Sequence, residues 1–505
     1  MNKIGFDNEK YLEEQSEAII KRAAQFGNKL YLEFGGKLSN DLHAARVLPG
    51  FDSNGKLKLL QRLKDRSEII ICIFSGDIER RKVRQDFGLA YDVQILRDID
   101  DLRQYGLRIR GVVITRYQDR PIVNQFMKKL QRRDIDVFIH HTIEGYPTDI
   151  EHIVSDKGYG KNDFIQTDAP IVVITGPGGG SGKLATCLSQ IYHEHKHGVS
   201  AGYAKFETFP IWNLPLNHPV NTAYEAATAD LGDINQVDPF HLEEYQVTAI
   251  NYNRDIEIFP VVKRFLEKIM GPQQVYKSAT DMGVNRAGFS IIDDDVCQNA
   301  AKQEIIRRFF KYNREYVQGR TELSTINRID HIMRVKMNLT PEHRIPVSYA
   351  RKAAKNAEKS KKGNNGVYVG AAICLHDGKV ITGKNSPLMH SSSSLILNTI
   401  KHLAKLPDEI DLISRSVIDS IRAFKTNILN ADKLSLNLEE MLIALSISAT
   451  TNPSAQVAME HLKDIRGTEV HMTHIPSLGD EVGWRKLGVN LTTDPNFAGS
   501  QLFIN

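Results

Sequence analysis

The strongest constraint on the fold is an alternation in residues 1–206, where short apolar, β-branched runs are separated by amphipathic stretches. That pattern produces parallel strands joined by crossover helices. The runs Leu30–Phe34, Glu68–Phe74, Gly111–Arg116, Asp136–His141, Ile171–Thr175 and Ala201–Phe206 read as strands. Between them, Asp119–Arg133 carries Ile122, Val123, Phe126, Met127 and Leu130 at spacings of three and four, which reads as a helix. The expectation is a large α/β domain built on a doubly wound, mostly parallel, Rossmann-like sheet over residues 1–237. A mostly helical middle region and basic linker follows over 238–365, and a smaller C-terminal α/β domain over 366–505.

Open parallel sheets bind ligands outside the carboxyl ends of their strands. Those ends carry Gly35-Gly36-Lys37, Ser75-Gly76-Asp77, Thr115-Arg116, His140-His141-Thr142, the run Thr175 to Lys183, and Lys205-Phe206-Glu207-Thr208. The fifth is the most specific. Ile171-Val172-Val173-Ile174-Thr175 runs into Gly176-Pro177-Gly178-Gly179-Gly180-Ser181-Gly182-Lys183, and Leu184, Cys187, Leu188 and Ile191 then recur with a helical period. Strand, glycine loop and helix together let backbone N–H groups cradle a phosphate. Against the pattern G-x-x-x-x-G-K-[ST], Gly182 and Lys183 fit, Pro177 replaces the first glycine and Leu184 replaces the magnesium-binding hydroxyl. The expectation is a phosphate site at Gly176, Gly178, Gly179, Gly180, Ser181, Gly182 and Lys183. Magnesium is left open, and a tight structural turn is the alternative.

Candidates for proton transfer are His140, Asp77 and Glu207. His140 and His141 alternate at a strand end, and histidine titrates near neutral pH. Lys37, Arg80, Lys205, Asp281 and Asn285 are candidates for further ligand contacts. His193-Glu194-His195-Lys196-His197 precedes Gly198 and reads as a helix end rather than a metal site. The triplet Asp293-Asp294-Asp295 reads as the acidic start of the amphipathic helix that begins near Val296. Cys72, Cys187, Cys297 and Cys374 lie far apart, with no C-x-x-C, so neither a disulfide framework nor a zinc site is expected.

Composition bounds the function classes. With 505 residues, several domains are expected, and 41% hydrophobic against 25% charged residues is the balance of a globular chain. The net charge is +4, and Arg351–Asn365 alone holds six Lys or Arg against one Glu, so the remainder is nearly neutral. That argues against a broad nucleic-acid surface. No leader-like segment and no long apolar run is present, so the expectation is a cytoplasmic protein with no membrane partner. A homo-oligomer is left open.

In the C-terminal unit, Val367–Leu375, the turn Asp377-Gly378 and Lys379–Thr382 read as a hairpin, followed by Met389-His390-Ser391-Ser392-Ser393-Ser394 and a helix. This resembles the start of a cytidine-deaminase-like domain. That family places H-x-E there and P-C-x-x-C later; here Ser392 stands for the glutamate, and Pro453-Ser454-Ala455-Gln456-Val457 has no cysteine. The resemblance implies the fold without the zinc. Over nearly its whole length the chain resembles the bacterial uncharacterised protein family 0371, which carries domain of unknown function 1846. The resemblance rests on Leu32-Glu33-Phe34-Gly35-Gly36-Lys37, Thr175 to Lys183, Phe206-Glu207-Thr208-Phe209-Pro210-Ile211-Trp212 and Thr280-Asp281-Met282-Gly283-Val284-Asn285. It implies no reaction and no catalytic residues. The reading from the residues is an enzyme, a transferase or ligase, acting on a phosphate-bearing nucleotide or metabolite. A non-catalytic ligand sensor or scaffold is the alternative.

Overall fold

A computed structural model describes residues 3–36, 38, 39, 41–84, 89–272, 275–431 and 434–499. The chain divides into two compact units, Lys3–Ala301 and Lys302–Asn505. The division falls within the helix Asp294–Val317.

The first unit is built on six strands: β1 (Leu30–Phe34), β2 (Ser67–Phe74), β3 (Ile109–Thr115), β4 (Val137–Ile139), β5 (Ile171–Thr175) and β6 (Gly202–Phe206). They form one sheet in the order β4-β3-β2-β5-β1-β6, with every neighbouring pair parallel. Ile69, Ile70 and Ile71 of β2 and Val172, Val173 and Ile174 of β5 are fully buried, as continuous β-branched runs are when helices cover both faces of a parallel sheet. β1 lies between β5 and β6, pairing Leu30 with Ile171 on one side and with Gly202 on the other. This register sets Glu33 beside Lys205 at the carboxyl rim.

Three helices matter for the rim. Helix α1 (Asn8–Ala24) buries Tyr11, Leu12 and Ile19, and its first turn is capped by Asp7, whose side chain accepts from Lys10 N–H. Its Gln15 donates to the Val284 carbonyl and accepts from Arg286 N–H, which fixes the chain there. Helix α2 (Lys183–Lys196) follows the glycine loop, and α3 (Asn253–Met270) brings its first turn to the strand ends. Asp293 Oδ1 accepts from Val296 N–H at the start of the next long helix, so this acid of the triplet caps that helix.

The second unit carries a four-stranded mixed sheet of β7 (Gly370–Cys374), β8 (Val380–Lys384), β9 (Glu469–Met472) and β10 (Asn490–Thr493), in the order β8-β7-β9-β10. β7 is antiparallel to β8 and β9, and β9 is parallel to β10. Its core gathers Ile373, Ile396, Met441 and Trp484. Arg344, fully buried, donates to the Thr492 hydroxyl, the Val470 and Asn490 carbonyls and the Glu469 carboxylate, tying β9 to β10. Among the described residues no helix is long and apolar enough to cross a membrane.

Candidate functional site

After β5 the chain turns through glycines that no other residue could replace without strain. Gly180 and Gly182 have φ of +76° and +92°, the left-handed region, and Gly182 is the residue that opens α2. A Cβ on Gly182 would also come within 2.8 Å of the Thr115 side chain. The loop's carbonyls are pinned by the end of β3. Thr115 Oγ1 donates to Ser181 O at 2.8 Å, and Arg116 Nη2 donates to Gly180 O at 2.6 Å. The Arg116 guanidinium lies 3.5 Å from the centre of the Phe74 ring. With carbonyls held on that side, the N–H groups of Gly180, Gly182, Lys183, Leu184 and Ala185 make no hydrogen bond among the described residues. Unspent amides at a helix start are what an anion binds.

These groups line a cavity of about 890 Å³ at the carboxyl rim. Its contributors include Arg116 from the end of β3, Lys183 from the loop, Glu33 from β1, Lys205 and Glu207 from β6 and its exit, and Arg254 and Asp255 from α3. The charges fall into two groups. Lys183 donates to Gly178 O at 3.3 Å and Arg116 to Gly180 O, and neither is in an ion pair among the described residues. Lys205 Nζ instead lies 2.6 and 2.8 Å from the two Asp255 oxygens and 3.4 Å from Glu207 Oε1. Arg254 is held by Asp233, and Glu33 accepts from the Tyr203 hydroxyl at 2.8 Å.

Burial works against the Lys205 charge, but Asp255, Glu207 and Glu33 outweigh it and hold its pKa above that of ordinary lysine. Glu207 shifts upward as well. Burial is the main cause, Lys205 opposes it, and the negative charges of Asp255 and Glu33 add to it. Lys183 also acts on Glu207, so the loop and the acidic end share one electrostatic environment. The cavity therefore combines an anion-accepting end with a carboxyl group suited to giving or taking a proton.

The sequence candidates distribute as follows. Gly179, Gly180, Gly182, Lys183, Lys205 and Glu207 line this cavity together. Gly176 and Gly178 lie in the same loop, half-buried, and Ser181 is fully buried. His140 also lines the cavity but is only 3% exposed. Its Nε2 is 3.3 Å from Asp163 O and from Gln190 Nε2, and its Nδ1 is 3.5 Å from Thr186 Oγ1. Burial brings its pKa down to about 3, so the ring is neutral at physiological pH. Asp77 is buried in an ion pair with Arg80, with Lys82 at 3.8 Å, and neither Asp77 nor Arg80 lines this cavity. Lys37 lies outside the described residues. Asp281 and Asn285 line a second, smaller cavity that shares Lys205, Glu207 and Asp255 with the first.

The residues that sequence reading passed over are Glu33, Arg254 and Asp255. Glu33 had a signal, a lone acid inside an apolar strand; Asp255 looked like an ordinary acid in the first turn of a helix. Among the described residues no group of three or more His, Cys, Asp or Glu side chains is placed to hold a metal ion.

Two family models match the chain: "Domain of unknown function DUF1846, N-terminal" over residues 4–337 and "Domain of unknown function DUF1846, C-terminal" over residues 342–503. Among its relatives, a UPF0371 protein of Clostridium botulinum (strain ATCC 19397 / Type A) is 55% identical over 504 residues, covering 100% of both chains. One of Clostridium tetani is 54% identical over 503 residues and one of Fusobacterium nucleatum 53% over 506, again with 100% coverage of each chain.

Proposed function

The chain belongs to the DUF1846 family of UPF0371 proteins, and from its own site we propose that it is a cytoplasmic enzyme acting on a phosphate-bearing nucleotide or metabolite. The phosphate sits on the N–H groups of Gly180, Gly182 and Lys183, between the Lys183 ammonium and the Arg116 guanidinium. The rest of the ligand extends toward Glu33, Glu207 and Asp255, an end suited to hydroxyl or amino groups. Glu207 exchanges a proton with one of them, and Lys205 pairs with both oxygens of the neighbouring Asp255 carboxylate. This favours transfer or ligation of a group, with the loop holding the phosphate still.

The observation that carries the reading is the separation of charge within one cavity. Among the described residues, two cations without carboxylate partners flank amides without acceptors, while the other cavity cations are neutralised. A charge-assisted phosphate contact is roughly twice as strong as a neutral one, and losing one costs about 2 kcal/mol, some thirtyfold in affinity. Isothermal titration of the full chain with inorganic pyrophosphate tests this. The expected result is one saturable site, weakened about thirtyfold by Lys183→Ala and by Arg116→Gln. Unchanged binding by both folded variants refutes it.

Leu184 in place of the hydroxyl that would hold magnesium favours a second reading, a sensor that binds its ligand without turnover. Conversion of any phosphorylated ligand by the purified chain excludes that one. For the second unit the reading is a deaminase-like domain without zinc. In support, Ser392 stands where that family has its glutamate, and His390 lies directly before the helix Ser391–Leu403 with its Nδ1 2.7 Å from Asp480 Oδ2, so its ring is oriented by a carboxylate.

A further inference from the structure

The smaller cavity, about 300 Å³, is at the lower end of the range for small-molecule sites. Its walls come from α1, the exit of β6 and the segment around Asp281, which is fixed as a template would be. Asn285 Nδ2 donates to the Thr208 and Pro210 carbonyls, Trp212 Nε1 donates to Asn285 O at 3.1 Å, and Val284 N–H donates to Lys205 O. The Trp212 ring is thereby held as one wall of the cavity.

Most polar groups facing this space have partners, and two donors keep N–H groups with no acceptor among the described residues. The Asp281 carboxylate accepts from Lys277 N–H, Ser278 N–H and the Tyr245 hydroxyl. Arg286 pairs with Glu14 and lies over the Phe289 ring. Arg22 is different: it donates to the Asp281 and Gly283 carbonyls and forms no ion pair among the described residues, leaving a positive charge and three further N–H groups. Asn251, only 9% exposed, accepts from Tyr252 N–H with its carbonyl, while its amide NH2 has no acceptor among the described residues.

We infer that this cavity is a second ligand site, for a small planar carboxylic acid. Its carboxylate is taken by Arg22 and the Asn251 amide, and its flat body lies against Trp212. Because Lys205, Glu207 and Asp255 line both cavities, the acid abuts the same cluster as the phosphorylated ligand, where a co-substrate would stand. Occupancy of this site does not depend on the reading of the larger cavity; only the co-substrate role rests on it.

The test uses benzoate and, as its neutral counterpart, benzamide, titrated into the full chain by ligand-observed NMR. The expected result is saturable benzoate binding, about tenfold tighter than benzamide. It should be weakened at least about tenfold by Arg22→Gln and by the isosteric Asn251→Asp, which reverses the donor into an acceptor, and be unchanged by Lys183→Ala. Should Arg22→Gln fail to fold, Asn251→Asp and the benzamide comparison decide. Absence of saturable benzoate binding, equal binding of benzamide, or displacement of benzoate by inorganic pyrophosphate overturns the inference. Loss of pyrophosphate binding with benzoate binding intact would sink the function proposed above and leave this site standing.

Discussion

Replacing Lys205 by methionine removes a cation paired with two carboxylates and facing a third. Asp255 grips its ammonium with both oxygens, Glu207 lies 3.4 Å away and Glu33 stands on the neighbouring strand. The side chains of Lys205, Asp255 and Glu207 are 22%, 25% and 26% exposed, so water relieves the loss only in part. Stranding one partner of a buried pair costs about 3–5 kcal/mol, and the partial exposure places Lys205→Met near 3. At a denaturant slope of about 3 kcal/mol/M, the urea midpoint of the Lys3–Ala301 unit should fall by about 1 M at pH 7.5. The two units can unfold separately, so the transition is followed by hydrogen exchange in β1 and β6 rather than by a global signal.

The pH dependence has a definite sign. Glu207 has a raised pKa in the folded protein, and losing Lys205 raises it further, because lysine is the influence that lowers it. The native state therefore binds this proton more readily than the unfolded state, and stability is gained as pH falls. The deficit of Lys205→Met should be largest above the carboxylate range and shrink toward pH 5. Asp255→Asn in the same chain should recover part of it, so that the double variant costs less than the sum of the single ones. A deficit below about 1 kcal/mol, or one independent of pH, refutes the electrostatic reasoning.

Two further outcomes follow from the loop and the histidine beneath it. Gly182→Ala combines a left-handed φ, worth about 1–2 kcal/mol for a residue with a Cβ, with contact against Thr115, worth about 1–3, and should lower stability by roughly 2–5 kcal/mol in urea unfolding. Adding Thr115→Ser, which keeps the hydroxyl and removes the methyl, should restore part of that. His140, with a pKa of about 3 when folded, contributes stability that is present above pH 6.5 and lost as pH falls toward 3, about 2 kcal/mol of it by pH 5. His140→Gln should therefore be less stable than the parent at pH 8 and regain about 2 kcal/mol relative to it at pH 5.

The strands were legible because their residues leave little choice. Leu30–Phe34 and Ile171–Thr175 coincide with β1 and β5, and the other four runs of the first sheet overlap their strands to within a few residues at each end. The order of the strands was not legible. Hydrophobic patterning says that a run is buried and not which run lies beside it, and β1 sits between β5 and β6, separated by β5 from its sequence neighbour β2. The same limit governs the site. Lys183, Lys205 and Glu207 stand at strand ends, where the topological rule directs attention, whereas Asp255 reaches Lys205 only through the packing of α3. His140 shows the converse. It has the right residue type at the right strand end, and its surroundings, invisible in the sequence, keep it neutral.

The functional reading rests on the phosphate site proposed at the glycine loop. Its most direct test is a crystal structure of the full chain with inorganic pyrophosphate. The expected result is phosphate density within hydrogen-bond reach of the N–H groups of Gly180, Gly182 and Lys183, with the Lys183 and Arg116 side chains closing on it. Pyrophosphate seated elsewhere with the loop empty, or absent at concentrations that saturate the chain in solution, would contradict it.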